Sequence, residues 1–382
     1  MDPPHIGKEQ DMETVVVTGS KGFIGRNLIA TLSNLSDIRI ITFDVDDDPG
    51  SLSERLAQAD FVFHLAGINR PQDPNEFTQG NVGLTQRILD LLRSTGRAVP
   101  LLISSSTQAA LDNPYGASKK NAEDLVRAYR NEIGASVYVF RLPNVFGKWS
   151  RPNYNSAVAT FCHNTARGLP LEIHDPAREL SLVHVDDVVT EFIAAFRGTP
   201  HRGPDGDPTV VRVFKITLGD LADRISRFPK TRLTREVPNV EDELTRLLYS
   251  MYLSYLPERQ FAYALDTKRD PRGWLAEVLR SPAIGQVFVS VTRPGIARGN
   301  HWHHTKTEKF LVVSGEAVVR FRQISGTEVI EYPVSGGEPQ VVDIPPGYTH
   351  SITNTGSTDL VTLFWASEPF DPERPDTHAL QV

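Results

Sequence analysis

The sequence predicts two consecutive domains, an α/β domain built on a doubly wound parallel sheet and an all-β jelly roll or barrel. Over residues 13–200, apolar strands alternate with amphipathic helices, which is the pattern of a parallel sheet with helical crossovers. After about residue 256 the pattern changes to short strands separated by turn residues such as Pro-Gly and Ser-Gly, as in all-β folds. A length of 382 residues also suits two or three domains.

The elements of the first domain follow from short apolar runs and from the helical spacing between them. Thr14–Thr18 reads TVVVT, a β-branched run that predicts a buried parallel strand. We expect helices over 27–35 and 81–95, where apolar side chains recur at helical spacing. The other predicted strands are Ile38–Phe43, Asp60–Ala66, Pro100–Ser104 and Val137–Arg141, and further helices are expected over 218–228 and 240–253.

The second domain is predicted from apolar runs with turn residues between them. The runs are QVFVSV, EKFLVV, EAVVRFR, QVVDIP and LVTLFW, and the turns contain PG, SG, GG and PPG. Because the period of the pattern changes, we expect two separately folding domains. The predicted organisation is a flexible tail over 1–12, the α/β domain over 13–256 and the all-β domain over 257–382.

The composition excludes several classes of protein. With 40% hydrophobic and 23% charged residues, the chain is not expected to be disordered over most of its length. The net charge of −7 gives no bulk attraction to nucleic acid or to an anionic membrane, and no apolar run is long enough to cross a bilayer. A single cysteine, Cys162, excludes an internal disulfide and a cysteine zinc cluster, so we expect a cytoplasmic enzyme without nucleic-acid or membrane partners.

A glycine-rich turn after the first strand predicts a dinucleotide site. Glycines at three-residue spacing permit a tight turn at a helix N-terminus, where backbone N–H groups bind a pyrophosphate. Asp44 ends the second strand and suits a ribose 2′-OH, which favours NAD, whereas Lys21 and Arg26 suit the 2′-phosphate of NADP. Both cofactors therefore stay open at this point. The candidate cofactor residues of the turn are Gly19, Ser20, Lys21, Gly22, Phe23, Ile24 and Gly25.

A tyrosine, a lysine and a serine run supply the groups needed for carbonyl reduction. Tyr115 and Lys119 are four residues apart, so both face one way on a helix. The run 104–106, all serine, ends an apolar strand upstream. The lysine charge is expected to lower the tyrosine pKa, and the tyrosine exchanges a proton with the carbonyl oxygen while the serine holds that oxygen.

These motifs resemble the extended short-chain dehydrogenase/reductase family, which acts on nucleotide sugars, over residues 14 to about 250. The resemblance implies a Rossmann fold, catalytic roles for Tyr115 and Lys119, which also bind the cofactor, and Ser106 as the catalytic serine, with Ser105 as second choice. The segment FHLAG implies that Leu65, Ala66 and Gly67 line the adenine side of the cofactor site. RLPNVFG places Asn144 near the substrate, and Arg151, Asn153, Asn155 and Arg178 are further candidate contacts to the sugar or diphosphate.

A group of histidines and one glutamate predicts a metal site in the second domain. His301 and His303 are two residues apart, so on a strand both would point into the barrel. Glu308 follows five residues later, and His350 lies in a later turn and strand. Three imidazoles and one carboxylate suit Zn, Fe, Mn or Ni.

The two segments that carry these ligands resemble the cupin signature. The first matches at every signature position, whereas the second has Pro339 where the signature has glycine. The stretch DPRGWLAEV also resembles the deoxysugar 3,5-epimerases, which are cupins that act on 4-keto sugars. Asp270, Arg272, Gly273 and Glu277 carry that match, and His304, Lys309 and Tyr348 are candidates for moving the proton.

The whole chain from about 13 to 382 resembles the bifunctional CapF-type enzymes of capsule and O-antigen synthesis, in the UDP-N-acetyl-L-fucosamine pathway. Stretches such as LDNPYGASK, PNYNSAVATFC and GNHWHHTKTEKFLVVSGEAVVRFR carry this resemblance. It implies that the cupin epimerises C3 of a UDP-activated 4-keto-6-deoxy N-acetylhexosamine and that the reductase domain then reduces C4 with NADPH. It also implies Zn²⁺ in the cupin, a homodimer, and NADP(H) rather than NAD(H).

Two alternatives differ in class from this two-step enzyme. One is a reductase with a single activity, whose cupin only dimerises or binds sugar. The other is a sugar-nucleotide sensor without catalysis, which would oxidise no NADPH with any 4-keto sugar.

Overall fold

The computed structural model describes residues 12–71, 73 and 75–382, so most of the predicted tail over 1–12 lies outside the described residues. The chain divides into two compact units. The first contains the chain up to Ser226 together with Ser250–Leu256, and the second contains Arg227–Tyr249 and Pro257–Val382. The long segment of the second unit thus starts where a domain boundary was predicted, although a shorter segment before it also joins that unit. The single boundary after residue 256 stays a prediction.

A parallel sheet of five strands forms the centre of the first unit, with the strand order β2-β1-β3-β4-β5. Residues 15–17 of the first strand are fully buried, because helices cover both faces of a doubly wound sheet. The predicted α/β fold is therefore confirmed. The strands are β1 (Glu13–Thr18), β2 (Ile38–Phe43), β3 (Phe61–His64), β4 (Leu101–Ser106) and β5 (Val137–Leu142).

Helices pack on both faces of this sheet and bury two apolar cores. Leu28 and Phe192 belong to the core on one face, and Leu89 and Val126 belong to the core on the other. A π-helical turn, Thr78–Gly83, precedes the fourth helix, and a 3₁₀ turn follows β4 at Thr107–Ala110. The helices are α1 (Phe23–Leu32), α2 (Ser51–Ala57), α3 (Asn75–Phe77), α4 (Leu84–Ser94), α5 (Pro114–Ile133), α6 (Ala157–Ala166) and α7 (Val185–Phe196).

The first predicted helix, over 27–35, was placed four residues too late. Helix α1 begins at Phe23, because the N–H of Arg26 already donates to the carbonyl of Gly22 (2.9 Å). It ends at Leu32 rather than residue 35. The helix therefore starts inside the glycine-rich turn, which brings its N-terminus directly to the candidate cofactor site.

The first unit also contains a small second sheet, and the helices that follow residue 227 belong wholly or partly to the second unit. Strands β6 and β7 are parallel, and β7 and β8 are antiparallel. Within the described ranges, no helix is both long and apolar enough to span a bilayer. The elements are β6 (Asn144–Phe146), β7 (Glu179–His184), β8 (Phe214–Thr217), α8 (Leu218–Arg227), α9 (Lys230–Thr234), α10 (Glu243–Ser254) and a 3₁₀ turn, Glu258–Gln260.

Two antiparallel sheets form the second unit, in the orders β16-β13-β18-β11-β10-β9 and β15-β14-β17-β12-β19. Phe310, Val319, Ile352 and Leu360 lie in the apolar core between them, and the all-β prediction is confirmed. The strands are β9 (Thr267–Asp270), β10 (Gly273–Ser281), β11 (Gly285–Thr292), β12 (Ala297–Trp302), β13 (Glu308–Ser314), β14 (Glu316–Gln323), β15 (Val329–Ser335), β16 (Val341–Ile344), β17 (Tyr348–Asn354), β18 (Leu360–Ala366) and β19 (His378–Ala379).

Candidate active sites

The glycine-rich turn is shaped by two close backbone approaches that exclude larger residues. Gly19 has φ +69°, and a Cβ there would lie 2.6 Å from the backbone nitrogen of Ala66. A Cβ on Gly25 would lie 2.2 Å from the carbonyl oxygen of Gly19. Gly22 caps helix α1 without a side-chain bond, so the first N–H groups of the helix face the turn and are available to a phosphate.

Opposing charges meet at the ribose end of this turn. The carboxylate of Asp44 accepts a hydrogen bond from the backbone N–H of Lys21 (2.6 Å) and one from the Ser20 hydroxyl (3.4 Å). The Lys21 ammonium pairs with Asp46 at 2.5 Å, and both side chains are well exposed. The residue that favours NAD and the residue that favours NADP therefore lie at the same place, where a bound ribose would contact them.

The structure brings the tyrosine, the lysine and one serine together. Strand β4 ends at Ser106, and helix α5 places Tyr115 and Lys119 one turn apart, with Asn113 capping its N-terminus through the side chain. The Lys119 Nζ donates to the carbonyl of Ser104 (3.1 Å) and lies 5.9 Å from the Tyr115 ring centroid. This arrangement can hold a carbonyl oxygen and transfer a proton to it.

The pKa of the tyrosine shifts in the opposite direction to the one expected from its lysine neighbour. Burial raises the pKa of Tyr115, and the hydrogen bond with Ser106 opposes this only in part. The expected lowering was wrong because burial of the phenol is the largest cause of the shift, and the lysine is not among its causes. Burial also lowers the pKa of Lys119 to about 8, opposed by the charge of Glu123. A phenol that stays protonated at neutral pH suits a proton donor.

Ser105 has a different environment from Ser106. Its hydroxyl donates to the carboxylate of Glu123 (2.6 Å), which is fully buried and forms two bonds with Arg141, at 2.9 and 2.6 Å. A buried carboxylate needs such donors, because its desolvation is otherwise costly. The geometry therefore favours Ser106 as the serine beside Tyr115, and it gives Ser105 a part in a buried ion pair.

Sequence reasoning missed Asn81, which lies in the π-helical turn and is buried. Its side-chain amide donates to the Ser118 hydroxyl (2.9 Å), and that hydroxyl donates to the carbonyl of Tyr115 (2.8 Å). A Cβ on Gly67 would lie 2.8 Å from the Asn81 Oδ1 and 3.1 Å from the Lys119 Nζ. π-helical turns are frequent at functional sites, but the segment TQGNVG carries no periodicity that would have predicted one.

The candidate substrate residues fall into two groups. The Arg151 guanidinium lies 5.1 Å from the Tyr154 ring centroid, and Tyr154 is near enough to Tyr115 to raise its pKa. Asn144 donates its amide to the carbonyl of Ser181 (3.2 Å). The backbone of Asn153 has φ 54°, and Asn155 and Arg178 are exposed. Arg151 is thus linked to Tyr115 only through Tyr154, and the roles of all five residues stay predictions.

The four predicted metal ligands converge in the second unit. Each of the four residues offers one ligand atom, and these four atoms lie within 4.8 Å of one another. The residues are His301, His303, Glu308 and His350. His301 is paired opposite His350 across β12 and β17. We considered His301 and His303 on one strand. Only His301 lies on β12, because the strand ends at Trp302. A register shift just before His301 accompanies this geometry.

The chemistry of this cluster fits a divalent cation. The Nε2 atoms of His303 and His350 are buried without a hydrogen-bond partner among the described residues. They lie 3.5 and 3.3 Å from the Glu308 Oε2. Buried polar atoms are normally paired. A metal ion would be a partner for both Nε2 atoms and for the Glu308 Oε2. Burial lowers the pKa of His301 to about 4, which keeps the lone pair of a neutral imidazole available for coordination.

The epimerase-like segment and the proton-transfer candidates lie around the same barrel. Gly273 needs its glycine, because it has φ +133° and a Cβ there would lie 2.0 Å from the Val291 carbonyl oxygen. The Asp270 carboxylate pairs with Arg272 at 2.6 Å, and Glu277 accepts from Gln286 at 3.1 Å. Of the proton-transfer candidates, Lys309 pairs with Asp343, His304 is exposed next to Trp302 with ring centroids 4.4 Å apart, and Tyr348 is half-buried on the strand that carries His350.

Comparisons with known proteins match both parts of the chain. A model of the NAD dependent epimerase/dehydratase family matches residues 15–208, and one of the polysaccharide biosynthesis C-terminal domain matches residues 268–378. The chain is 46% identical over 368 residues to the UDP-2-acetamido-2,6-beta-L-arabino-hexul-4-ose reductase of Pseudomonas aeruginosa strain PA103, covering 96% of this chain and 98% of that protein. The chain belongs to the NAD dependent epimerase/dehydratase family.

Solved structures match this member of the epimerase/dehydratase family along nearly its full length. The capsular polysaccharide assembling protein CapF of Staphylococcus aureus superposes with a TM-score of 0.92 at 48% identity, covering 96% of this chain and all of that one. A structure of CapF with the inhibitor 3-isopropenyl-tropolone superposes with a TM-score of 0.87 at 44% identity and covers 97% of this chain. These matches confirm the fold class and the relationship to capsule-synthesis enzymes that the sequence motifs predicted.

Proposed function

We propose that this chain is a bifunctional nucleotide-sugar enzyme of capsule or O-antigen synthesis. Its cupin epimerises C3 of a UDP-2-acetamido-2,6-dideoxy-4-hexulose, and its reductase domain reduces C4 to give UDP-2-acetamido-2,6-dideoxy-L-talose. The observation that carries the proposal is that one chain holds both clusters, the phenol with its buried lysine and the four metal-ligating side chains. The reductase relative, aligned over 96% of the chain, supports the 4-keto sugar as substrate.

In the reduction, the chain supplies the proton and the geometry. A dinucleotide whose pyrophosphate is bound at the glycine-rich turn would supply the hydride for C4 of the sugar. Tyr115 donates its phenolic proton to the C4 oxygen, so that a neutral alcohol forms. Ser106 donates a hydrogen bond to the same oxygen, and the Lys119 charge stabilises the phenolate that remains. The raised pKa of Tyr115 keeps that proton in place until the carbonyl arrives.

In the epimerisation, the C3 proton leaves and returns on the opposite face. A metal held by His301, His303, Glu308 and His350 would supply Lewis-acid stabilisation of the charge that develops on the C4 oxygen. Among the described residues, the proton-transfer candidates His304 and Tyr348 form no ion pair, whereas Lys309 is paired with Asp343. We therefore favour His304 and Tyr348 for this role.

The finer assignments are part of the same proposal. Zinc is favoured because three imidazoles and one carboxylate form a ligand set that suits it. NADP(H) is favoured over NAD(H) because Lys21 presents an exposed ammonium at the ribose end and its N–H binds the Asp44 carboxylate. The resemblance to the bifunctional capsule enzymes supports a homodimer, and nucleotide-sugar chemistry with one buried, free Cys162 supports a cytoplasmic location.

The test is incubation of the full-length protein with the UDP-linked 4-keto-6-deoxy N-acetylhexosamine in D₂O, with NADPH, NADH or neither. We expect deuterium at C3 without a dinucleotide, and reduction at C4 with faster turnover on NADPH. Mass and proton coupling constants report exchange, stereochemistry and reduction together. Tyr115→Phe should lose reduction and keep exchange, whereas His301→Ala should lose exchange.

Three outcomes would contradict parts of the proposal. Loss of exchange in a folded Tyr115→Phe protein would show that the two reactions are not divided between the domains. Absence of exchange in the wild-type protein, with reduction of a pre-epimerised sugar retained, would leave a reductase with a single activity. No oxidation of either dinucleotide, together with no deuterium at C3, would leave a sugar-binding protein without catalysis.

A further inference from the structure

The C-terminal segment approaches the metal cluster through Asp376, which binds the loop between two of the metal ligands. The Asp376 carboxylate accepts hydrogen bonds from three consecutive backbone N–H groups, those of His304 (2.7 Å), Thr305 (2.8 Å) and Lys306 (2.9 Å). It also accepts one from the Thr305 hydroxyl (3.2 Å). Several charge-assisted bonds to one carboxylate are a strong local constraint. Asp376 therefore sets the path of the chain between His303 and Glu308.

The backbone of Asp376 makes a second contact, with a metal ligand itself. Its carbonyl oxygen is hydrogen-bonded to the Nδ1 of His303. A carbonyl can only accept, so Nδ1 carries the hydrogen and Nε2 carries the lone pair. That Nε2 is the buried, unpartnered atom that faces Glu308. The same residue thus orients the imidazole and selects the tautomer that can bind a metal.

We propose that Asp376 is a positioning residue for the metal site, acting through the loop 304–306 and through His303. This inference rests on the proposed metal-dependent epimerisation. It assigns to the end of the all-β unit a role in metal affinity, although Asp376 is not itself a ligand. Groups of this kind, which hold a metal-binding histidine from outside, usually change metal affinity about 10- to 100-fold when they are removed.

The rest of the C-terminal segment is held by contacts that do not involve Asp376. Strand β19 pairs with β12, with Ala379 opposite His301. The N–H of Leu380 donates to the Asn300 carbonyl (3.0 Å), and Arg322 donates to the carbonyl of Gln381 (2.6 Å). Substitution of the Asp376 side chain should therefore leave the segment in place. Its effect on metal binding is then separable from detachment of the segment.

The experiment compares full-length wild-type protein with Asp376→Ala, Asp376→Asn and the control Asp371→Ala. Asp371 lies in the same segment and its carboxylate accepts a backbone N–H, that of Glu373 at 2.9 Å, away from the metal loop. Metal-free protein is titrated with Zn²⁺ against a chromophoric chelator, and the absorption spectrum of the Co²⁺ form reports ligand geometry. Asp376→Ala removes the carboxylate that holds residues 304–306 and keeps the carbonyl that accepts from His303, so we expect an affinity loss of about 10-fold and an altered Co²⁺ spectrum. Asp376→Asn should be intermediate, and Asp371→Ala should match wild type.

The outcomes separate this inference from the proposed function. Wild-type affinity and an unchanged Co²⁺ spectrum in Asp376→Ala would overturn the positioning role and leave the metal site intact. A wild-type protein that binds neither Zn²⁺ nor Co²⁺ would overturn the metal-dependent epimerisation, and this inference with it. If Asp376→Ala does not fold, as judged by circular dichroism, Asp376→Asn decides the question, because it keeps one acceptor oxygen and a similar volume.

Discussion

Replacement of Lys119 by methionine should make the protein more stable at neutral pH while it destroys the reductase. Lys119 is buried, and burial lowers its pKa from 10.5 to about 8. At neutral pH the folded protein therefore contains a buried ammonium that destabilises it. The proposed reduction requires this charge. Methionine has a similar length and no charge, so it should occupy the same space.

The expected size of the effect follows from this shift. A shift of roughly 2.5 pH units at 1.36 kcal/mol per unit corresponds to about 3 kcal/mol of native-state destabilisation at pH 7. The substitution also removes the bond from Nζ to the Ser104 carbonyl, and a lost buried bond of this kind costs about 1–3 kcal/mol. The net gain in the free energy of unfolding at pH 7 should therefore be at most about 2 kcal/mol.

The pH dependence gives the sharper test. The folded pKa is lower than the unfolded pKa, so the penalty is fully present below pH 8 and is relieved as the pH rises from about 8 to 10.5. The advantage of Lys119→Met should therefore shrink over this range and reverse by pH 10.5. Urea unfolding followed by ellipticity at 222 nm, to which the helices of the first unit contribute most, measures it. The reductase kcat should fall at least about 100-fold.

Lys120 is the matched control, because it neighbours Lys119 on the same helix but is partly exposed and paired with Asp124. Lys120→Met should change the free energy of unfolding by less than about 0.5 kcal/mol at every pH. A stability difference between Lys119→Met and wild type that is equal at pH 7 and pH 10 would refute the reasoning, because a buried charge must titrate.

Three further outcomes are expected. Gly19→Ala should abolish dinucleotide binding, measured by fluorescence titration, because its Cβ would lie 2.6 Å from a backbone nitrogen; unchanged affinity would contradict the proposed cofactor turn. Ser106→Ala should lower the reductase kcat about 100-fold. Ser105→Ala should retain kcat within a few-fold and lower the free energy of unfolding by about 1–3 kcal/mol, because Glu123 loses a buried donor. A larger loss of kcat in Ser105→Ala than in Ser106→Ala would exchange the two roles. Glu308→Gln should lower Zn²⁺ affinity and C3 exchange and leave reduction of a pre-epimerised sugar unchanged; loss of both activities would contradict separate sites.

The strands that could be predicted from the sequence are those with an apolar pattern of their own. Ile38–Phe43 was predicted with both ends as the structure has them, because an apolar run between polar turns needs no information from elsewhere. Ala297–Trp302 reads ARGNHW and was not predicted as a strand. One of its residues, His301, belongs to the group of candidate metal ligands rather than to an apolar core, and so the apolar pattern is missing. Val329–Ser335 is an edge strand with five exposed residues at its start, which removes the usual alternation.

The candidate site could be predicted as far as its residues act in short motifs. The four candidate metal ligands were all predicted from type and spacing, and the structure brings them together. Asp376 could not be predicted, because its three backbone partners lie 70 to 72 residues earlier in the chain and any backbone N–H looks alike in sequence. The choice between Ser105 and Ser106 likewise depends on which of two adjacent side chains faces Glu123, which packing decides.

The ribose end of the cofactor turn has a consequence for how cofactor preference can change in this lineage. The backbone of the turn is fixed by the close approach of Gly19 to Ala66, but the Lys21–Asp46 pair is formed by side chains that are mostly in water. Exposed pairs of this kind contribute little to stability. We therefore expect that one or two surface substitutions at this pair could change the preferred dinucleotide with almost no loss of folding free energy. We expect cofactor preference to change more easily through substitution than the backbone of the glycine-rich turn, which we predict to bind the pyrophosphate.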